Sequence, residues 1–400
     1  MKPKRIEYID VAKFAAILLI IFSHGLKEGH LLAFLFSFHL PAFFFLNGMT
    51  LKMEGNTFGD FLSKKLRRYI VPMFGLGILC VLSEALAYTL LNVPLPDNYY
   101  IIGLSRVINQ TRAFTIWFLP ALFFTDIILF GFHKLFKDRL IPMGLGALAV
   151  LALGIAFTLY YNVTLVWNSD AALFGTVFTY CGYAFRHAKL SRIYGFLTGN
   201  RLVSLLVGIP LLVATYFVSV YNYDTQIAHL EMFLRIYKAY YITLPCALIG
   251  SLGFTLLCRG ITNPVLAKPV EANLALLALH QGCVFPIFRY VIAPQWWNSV
   301  ANMPATDPHY LAFNFTMLLF ALATIGIAHF AIKFSPFAPI IRSSLLPSMR
   351  YSPFTHSARS CVLNHSLLSV TTFLPSSIIY LAMTLPRTSS SPFSFILYSA

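Results

Sequence analysis

The sequence is short of charge, and of negative charge above all. Only 11% of its 400 residues are charged, and 14 Asp and Glu stand against 29 Lys and Arg. No acidic residue follows Asp307. The six cysteines (Cys80, Cys181, Cys246, Cys258, Cys283, Cys361) are scattered, mostly in apolar stretches, without a C-x-x-C pair. They read as small buried hydrophobes, which leaves a disulfide framework or a cysteine metal site without support. A P-loop, a Rossmann glycine motif, a G-x-S-x-G elbow and H-E-x-x-H are all missing. The chemistries that depend on those motifs therefore have nothing to rest on.

What the chain has in plenty is apolar surface: 58% hydrophobic residues, 16% aromatic, and a mean hydropathy of +0.73. Soluble domains are not built this way. Many continuous apolar windows reach about 20 residues, the length that crosses a bilayer core. A membrane barrel would alternate in short segments instead. The fold class expected is an all-α polytopic integral membrane protein.

The net charge of +15 does not point to nucleic acid, because the cations collect in short loops between apolar runs. That placement is a topology signal, with basic loops on the cytoplasmic side. Spans are expected near Ile9–Leu26, Leu31–Leu51, Tyr69–Leu91, from Ile116 to His133, Leu140–Tyr161, from Asp170 to Arg186, Leu202–Tyr221, Tyr237–Leu257, Val270–Ile292 and Tyr310–Ile332. These make ten helices with both termini cytoplasmic. The first has a basic start but no small-residue cleavage site after it, so it is expected to be retained. Residues 1–333 form the membrane domain in this reading. The Ser- and Pro-rich, acid-free stretch 334–400 reads as a non-catalytic tail, with Leu367–Leu385 the one segment apolar enough for an irregular further span.

Three ionisable side chains share one face of the first apolar helix. Lys13 and His24 are eleven residues apart, which at 3.6 residues per turn returns to nearly the same face, roughly 16 Å further along. Asp10, three residues before Lys13, joins them. Ionisable groups inside a membrane are expensive and mark function by default. His24 reads either as an interfacial histidine or as a general base able to take a hydroxyl proton. Lys13 and Asp10 read either as site residues or as a snorkelling pair at the inner rim. His39 and His280 each fall about halfway along a span, where a histidine rarely faces lipid. The run Lys64-Lys65-x-Arg67-Arg68 anchors topology and also suits phosphate groups. Glu84, Asp126 and Glu271 lie in or beside apolar spans without an assigned role.

Taken together, these residues resemble the membrane-bound acyltransferase-3 family, in particular its sugar O-acetylase-like branch. The resemblance rests on Tyr8-Ile9-Asp10-Val11-Ala12-Lys13 with Phe22-Ser23-His24, on Phe38-His39-Leu40-Pro41 through Asn47-Gly48, and on Lys64 through Pro72. It also rests on Trp117-Phe118-Leu119-Pro120 and on Ala272-Asn273-Leu274 through His280. The family's usual ten-span core agrees with the count above. Lys13 stands where the family more often has arginine, keeping the charge without the bidentate fork. Asn47 replaces a small hydroxyl residue common in relatives.

The resemblance implies transfer of an acyl group, most often acetyl, from cytoplasmic acyl-CoA to a hydroxyl of an envelope or exported carbohydrate, in the inner membrane of a bacterium. Acyl-CoA would be a co-substrate, with no bound cofactor or metal. The implied catalytic set is His24, Lys13, Asp10, His39 and His280. The implied donor- and substrate-binding set is Lys64, Lys65, Arg67, Arg68, Trp117 and Asn273. The rival reading is a transporter or exporter of a small solute or lipid-linked sugar. Two halves with matching broken helices would favour it, and none is visible.

Overall fold

The structure is a computed structural model that describes residues 6–110, 114–161, 164–226, 240–262 and 273–334. Every regular element among the described residues is helical. In chain order these are α1 (Glu7–Ser23), α2 (His30–Thr50), α3 (Phe58–Leu90), α4 (Tyr99–Asn109), α5 (Phe118–Phe136), α6 (Leu140–Tyr160) and α7 (Ser169–Arg186). They continue as α8 (Ser191–Gly199), α9 (Arg201–Gln226), α10 (Tyr240–Ile261), α11 (Leu274–Ile292), α12 (Pro294–Val300) and α13 (Pro308–Phe334).

Eight of the described helices are long and apolar enough to cross a membrane: α2, α3, α5, α6, α9, α10, α11 and α13. The other two of the ten expected spans are present as helices of lower apolar content or length. α1 has 17 residues, and α7 carries Ser169, Asp170, Thr176, Thr179 and Arg186 among its 18. The tail from 335 onward, and with it the irregular further span, lies outside the described residues.

One boundary differs in an informative way. The third span was expected from Tyr69, with the basic run in the loop before it, but α3 starts at Phe58. Thr57 caps it: its hydroxyl accepts the Asp60 backbone N–H at 3.2 Å and donates to the Asp60 carboxylate at 2.7 Å. A hydroxyl N-cap with an acid three residues on is a strong start signal. The basic run is thus helical and passes through a π-helical turn at Leu66–Ile70. That wider turn shifts which side chains face inward.

α2 is the central element, packed against α1, α7, α9 and α10. It crosses α7 with backbone touching backbone at Gly48 and Gly182. A Cβ on Gly48 would lie 1.9 Å from the Thr179 carbonyl oxygen, and one on Gly182 1.9 Å from that of Phe45. Small residues at such crossings permit the close approach that membrane helices use in place of a hydrophobic drive. α6 and α9 form the rim, exposing Ile141, Leu145, Leu148 and Leu153, and Leu202, Leu206 and Phe217, a surface suited to lipid.

Helix ends pair in two sets. At one end Arg186 bonds the Met49 carbonyl, Arg259 the Thr198 carbonyl at 2.7 Å, and Tyr8 meets Tyr194 at 2.8 Å. The basic residues of the loops fall at this end, the cytoplasmic side by the positive-inside rule. The opposite end joins Lys27 to the Met303 carbonyl at 2.8 Å and His30 to Asp224 at 2.7 Å.

Candidate active site

α1 delivers one functional group to each end of the bundle. Lys13 lies in its first half, and His24 is its C-terminal cap. The His24 backbone N–H still bonds the Ile20 carbonyl at 3.2 Å, so the helix fixes the ring's origin.

His24 faces His280, which opens a π-helical turn (His280–Val284) in α11. Nδ1 of His24 lies 2.7 Å from Nε2 of His280, and the two rings run nearly parallel, 9° apart with centroids at 5.0 Å. The partners assign the protons. Nδ1 of the fully buried His280 lies 2.9 Å from the Leu277 carbonyl and 3.2 Å from that of Leu276. Carbonyls only accept, so this nitrogen carries hydrogen. In a neutral ring Nε2 of His280 is then an acceptor, and Nδ1–H of His24 donates to it. Nε2 of His24 is left with its lone pair. Two buried imidazolium rings at 2.7 Å would oppose donor to donor, so the pair can hold at most one extra proton.

His39 approaches from α2 by way of Ser23. The Ser23 hydroxyl donates to the Ile20 carbonyl at 2.7 Å and lies 3.2 Å from His39 Nε2. With its hydrogen spent on Ile20, the serine oxygen accepts from His39. The three histidines of α1, α2 and α11 therefore converge on residues 23 and 24, His280 through His24 and His39 through Ser23.

The Lys13 end is built differently. The Lys13 ammonium donates to Thr50 Oγ1 at 3.0 Å, and that hydroxyl in turn donates to the Asn47 carbonyl at 3.0 Å. Asp10, Lys65, Arg68 and Asp126 all lie within electrostatic range of Lys13. At the centre is Asp126 of α5, fully buried. It accepts from Lys65 at 2.6 Å, from the Asn47 side-chain amide at 2.7 Å and from Tyr69 at 3.1 Å. Tyr69 also reaches the Asn47 side-chain oxygen at 2.9 Å. A buried ion pair is tolerable only with its remaining lone pairs satisfied, and these hydrogen bonds meet that need.

The basic run therefore divides. Lys65 points inward and is committed to Asp126, whereas Lys64, Arg67 and Arg68 are exposed. Lys64 bonds the Asn56 side chain at 2.5 Å, and Arg68 lies 5.3 Å over the Tyr69 ring. Trp117 is buried in the apolar core at the start of α5. The side chain of Asn273 lies outside the described residues, as does Glu271. Asp126, for which sequence reasoning found no role, organises the inner network. Its one advance signal was being an acid inside an apolar span. Among the described residues no group of three or more His, Cys, Asp or Glu is arranged to hold a metal ion.

A third cluster lies beside this end, in the turn after α5. Asp138 accepts from Tyr183, from His187 Nε2 at 2.9 Å and from His133 Nδ1 at 3.2 Å. Burial works to raise its carboxyl, but the hydrogen bonds from Tyr183, His187 and His133 outweigh it and hold the group below the usual carboxylate range.

Comparison with curated proteins finds no match, and neither does comparison with solved structures. A family model described as an acyltransferase domain matches residues 6–268. The matched stretch contains Asp10, Lys13, His24, His39, Asn47, the basic run and Asp126, and stops short of His280, whose place at the site rests on its contact with His24. With the matched region spanning most of a helical chain whose apolar helices suit a membrane, the protein belongs to the acyltransferase-3 family, membrane enzymes that transfer acyl groups other than aminoacyl groups.

Proposed function

We infer that the protein moves an acyl group, most simply acetyl, from cytoplasmic acyl-CoA to a hydroxyl of an envelope or exported carbohydrate, in a bacterial inner membrane. The observation that carries this reading is the His24–His280 pair, which leaves the His24 Nε2 lone pair unused among the described residues. A neutral imidazole fixed in one tautomer by a partner on its other nitrogen is the arrangement of a general base.

In the reaction, His24 Nε2 takes the proton of the acceptor hydroxyl while its oxygen attacks the thioester carbonyl carbon. The carbon–sulfur bond then breaks, and the imidazolium returns the proton to the leaving thiolate. Throughout, Nδ1–H of His24 stays on His280, which spreads the positive charge without taking it. The exposed Lys64, Arg67 and Arg68 suit the donor's phosphates at the cytoplasmic mouth, and Lys13 stands between mouth and base. The roughly 16 Å from Lys13 to His24 calls for an extended donor, and acyl-CoA carries its thioester at the end of a long arm.

The test supplies membrane vesicles or purified protein with radiolabelled acetyl-CoA and candidate glycans, for the wild type and His24→Ala. Label should pass to the glycan in the wild type and fall by about 10²- to 10⁴-fold in the variant, the usual worth of a positioned base. Equal transfer by both would remove His24 from the chemistry. Solute movement without labelling would favour transport instead.

A further inference from the structure

α11 carries a cation that this mechanism does not use. Arg289 lies in the π-helical turn Phe288–Ile292, at the end of the bundle opposite the basic loops. Other cations inside the bundle have polar partners: Lys65 has Asp126, Arg106 has Glu84 at 3.5 Å, Lys13 has Thr50, and Lys27 has the Ala301 and Met303 carbonyls. Arg289 has none of these among the described residues. Its Nε is buried without a hydrogen-bond partner. Its guanidinium lies 4.6 Å from the centre of the Trp297 ring and 5.8 Å from that of Phe285.

Aromatic faces hold an arginine but do not neutralise it. A guanidinium with a buried, unbonded nitrogen is costly unless an anion completes it. The surroundings tie this group to the reaction centre. Phe285, under Arg289, also meets the His280 ring edge-on at 5.3 Å. One row of side chains thus runs from His24 through His280 and Phe285 to Arg289. Lys27, three residues beyond His24, adds a second cation at this end, 4.9 Å over the Tyr310 ring.

The geometry points to a subsite at Arg289 for an oxyanion, carboxylate or phosphate, carried by the acceptor glycan. The inference rests on the acyl-transfer reading and narrows it to anionic acceptors. Arg289 lies nine residues beyond His280, roughly 13 Å at the helical rise. The charge recognised therefore sits on a sugar or linkage adjoining the one that reacts, towards the outer end of α11. An arginine suits this task because its planar fork grips two oxygens at once.

Equilibrium binding tests it, using the full chain in nanodiscs of neutral lipid without acyl-CoA. The probes are an oligo-uronate, a phosphorylated oligoglucoside and a neutral oligoglucoside of equal length. Wild type should bind one or both anionic probes at least about tenfold more tightly than the neutral one, the scale of a charge-assisted hydrogen bond. Which of the two wins identifies carboxylate or phosphate. Arg289→Gln should erase the preference, and Arg289→Lys should keep part of it. Equal binding of all probes by the wild type, or a preference that survives Arg289→Gln, overturns the subsite. So does a wild-type preference that vanishes in anionic-lipid nanodiscs, since a lipid phosphate would then own the site. Should the anionic preference hold while no glycan accepts label from acetyl-CoA, acyl transfer fails and the subsite stands.

Discussion

The two ends of α1 solve the same problem in opposite ways. At the Lys13 end, polar groups deep in the bundle are ionised and matched: Lys65 with Asp126, and Asn47 and Tyr69 with what remains of the carboxylate. At the His24 end, three imidazoles and a serine bond one another and backbone carbonyls: His24 with His280, His39 with Ser23, and His280 with Leu277. A matched ion pair is rigid and already spent. A neutral imidazole with one nitrogen tied and the other open is poised to take a proton. In the proposed mechanism the difference separates scaffolding from chemistry at the two ends of one helix.

That contrast can be broken in several places. His24→Ala should have the largest effect, cutting turnover by about 10²- to 10⁴-fold with little change in melting temperature, read from single-turnover labelling and thermal unfolding in detergent. Asp126→Ala should show the reverse emphasis. Stranding the Lys65 charge should cost about 3–5 kcal/mol of stability, and Lys65→Met with Asp126→Leu should recover most of it. If Asp126→Ala unfolds no earlier than wild type, the inner network is not scaffolding.

In the proposed mechanism His280 positions His24, so its loss should be milder. His280→Gly should lower kcat by about 10- to 100-fold, as for a group that orients another, while leaving the KM for acetyl-CoA in place. Added imidazole should restore part of the rate. A purely structural role would give no such rescue.

The smallest effect is expected at Asp138. Its carboxyl is depressed in the folded state, so the stability it contributes is present above the ordinary carboxylate pKa of about 3.9 and is lost as pH falls through the lower folded value. Asp138→Asn should therefore lower the melting temperature slightly at neutral pH and not at all at the acid end. A constant difference across that range would contradict the assignment.

Much of this was legible in the sequence because it depends on local pattern. Apolar runs gave the spans, and eleven-residue spacing put Lys13 and His24 on one face. Depth along a span flagged His39 and His280. The rest depends on partners far away in sequence or on helical irregularity. Lys65 and Asp126 are 61 residues apart and His24 and His280 are 256 apart, and no spacing rule connects such pairs. The inward turn of Lys65 comes at the start of the π-helical turn at Leu66–Ile70, which a 3.6-residue period does not foresee. The same holds for Arg289, carried by another such turn.

The central claim is that His280 fixes His24 with a bare Nε2. Nitrogen-15 spectra of the ring nitrogens, taken as the difference between wild type and His24→Gln at neutral pH, test it most directly. The His24 signals should show a protonated Nδ1, hydrogen-bonded to His280, and an unprotonated Nε2. A His24 ring with its hydrogen on Nε2, or with hydrogen on both nitrogens, would contradict it.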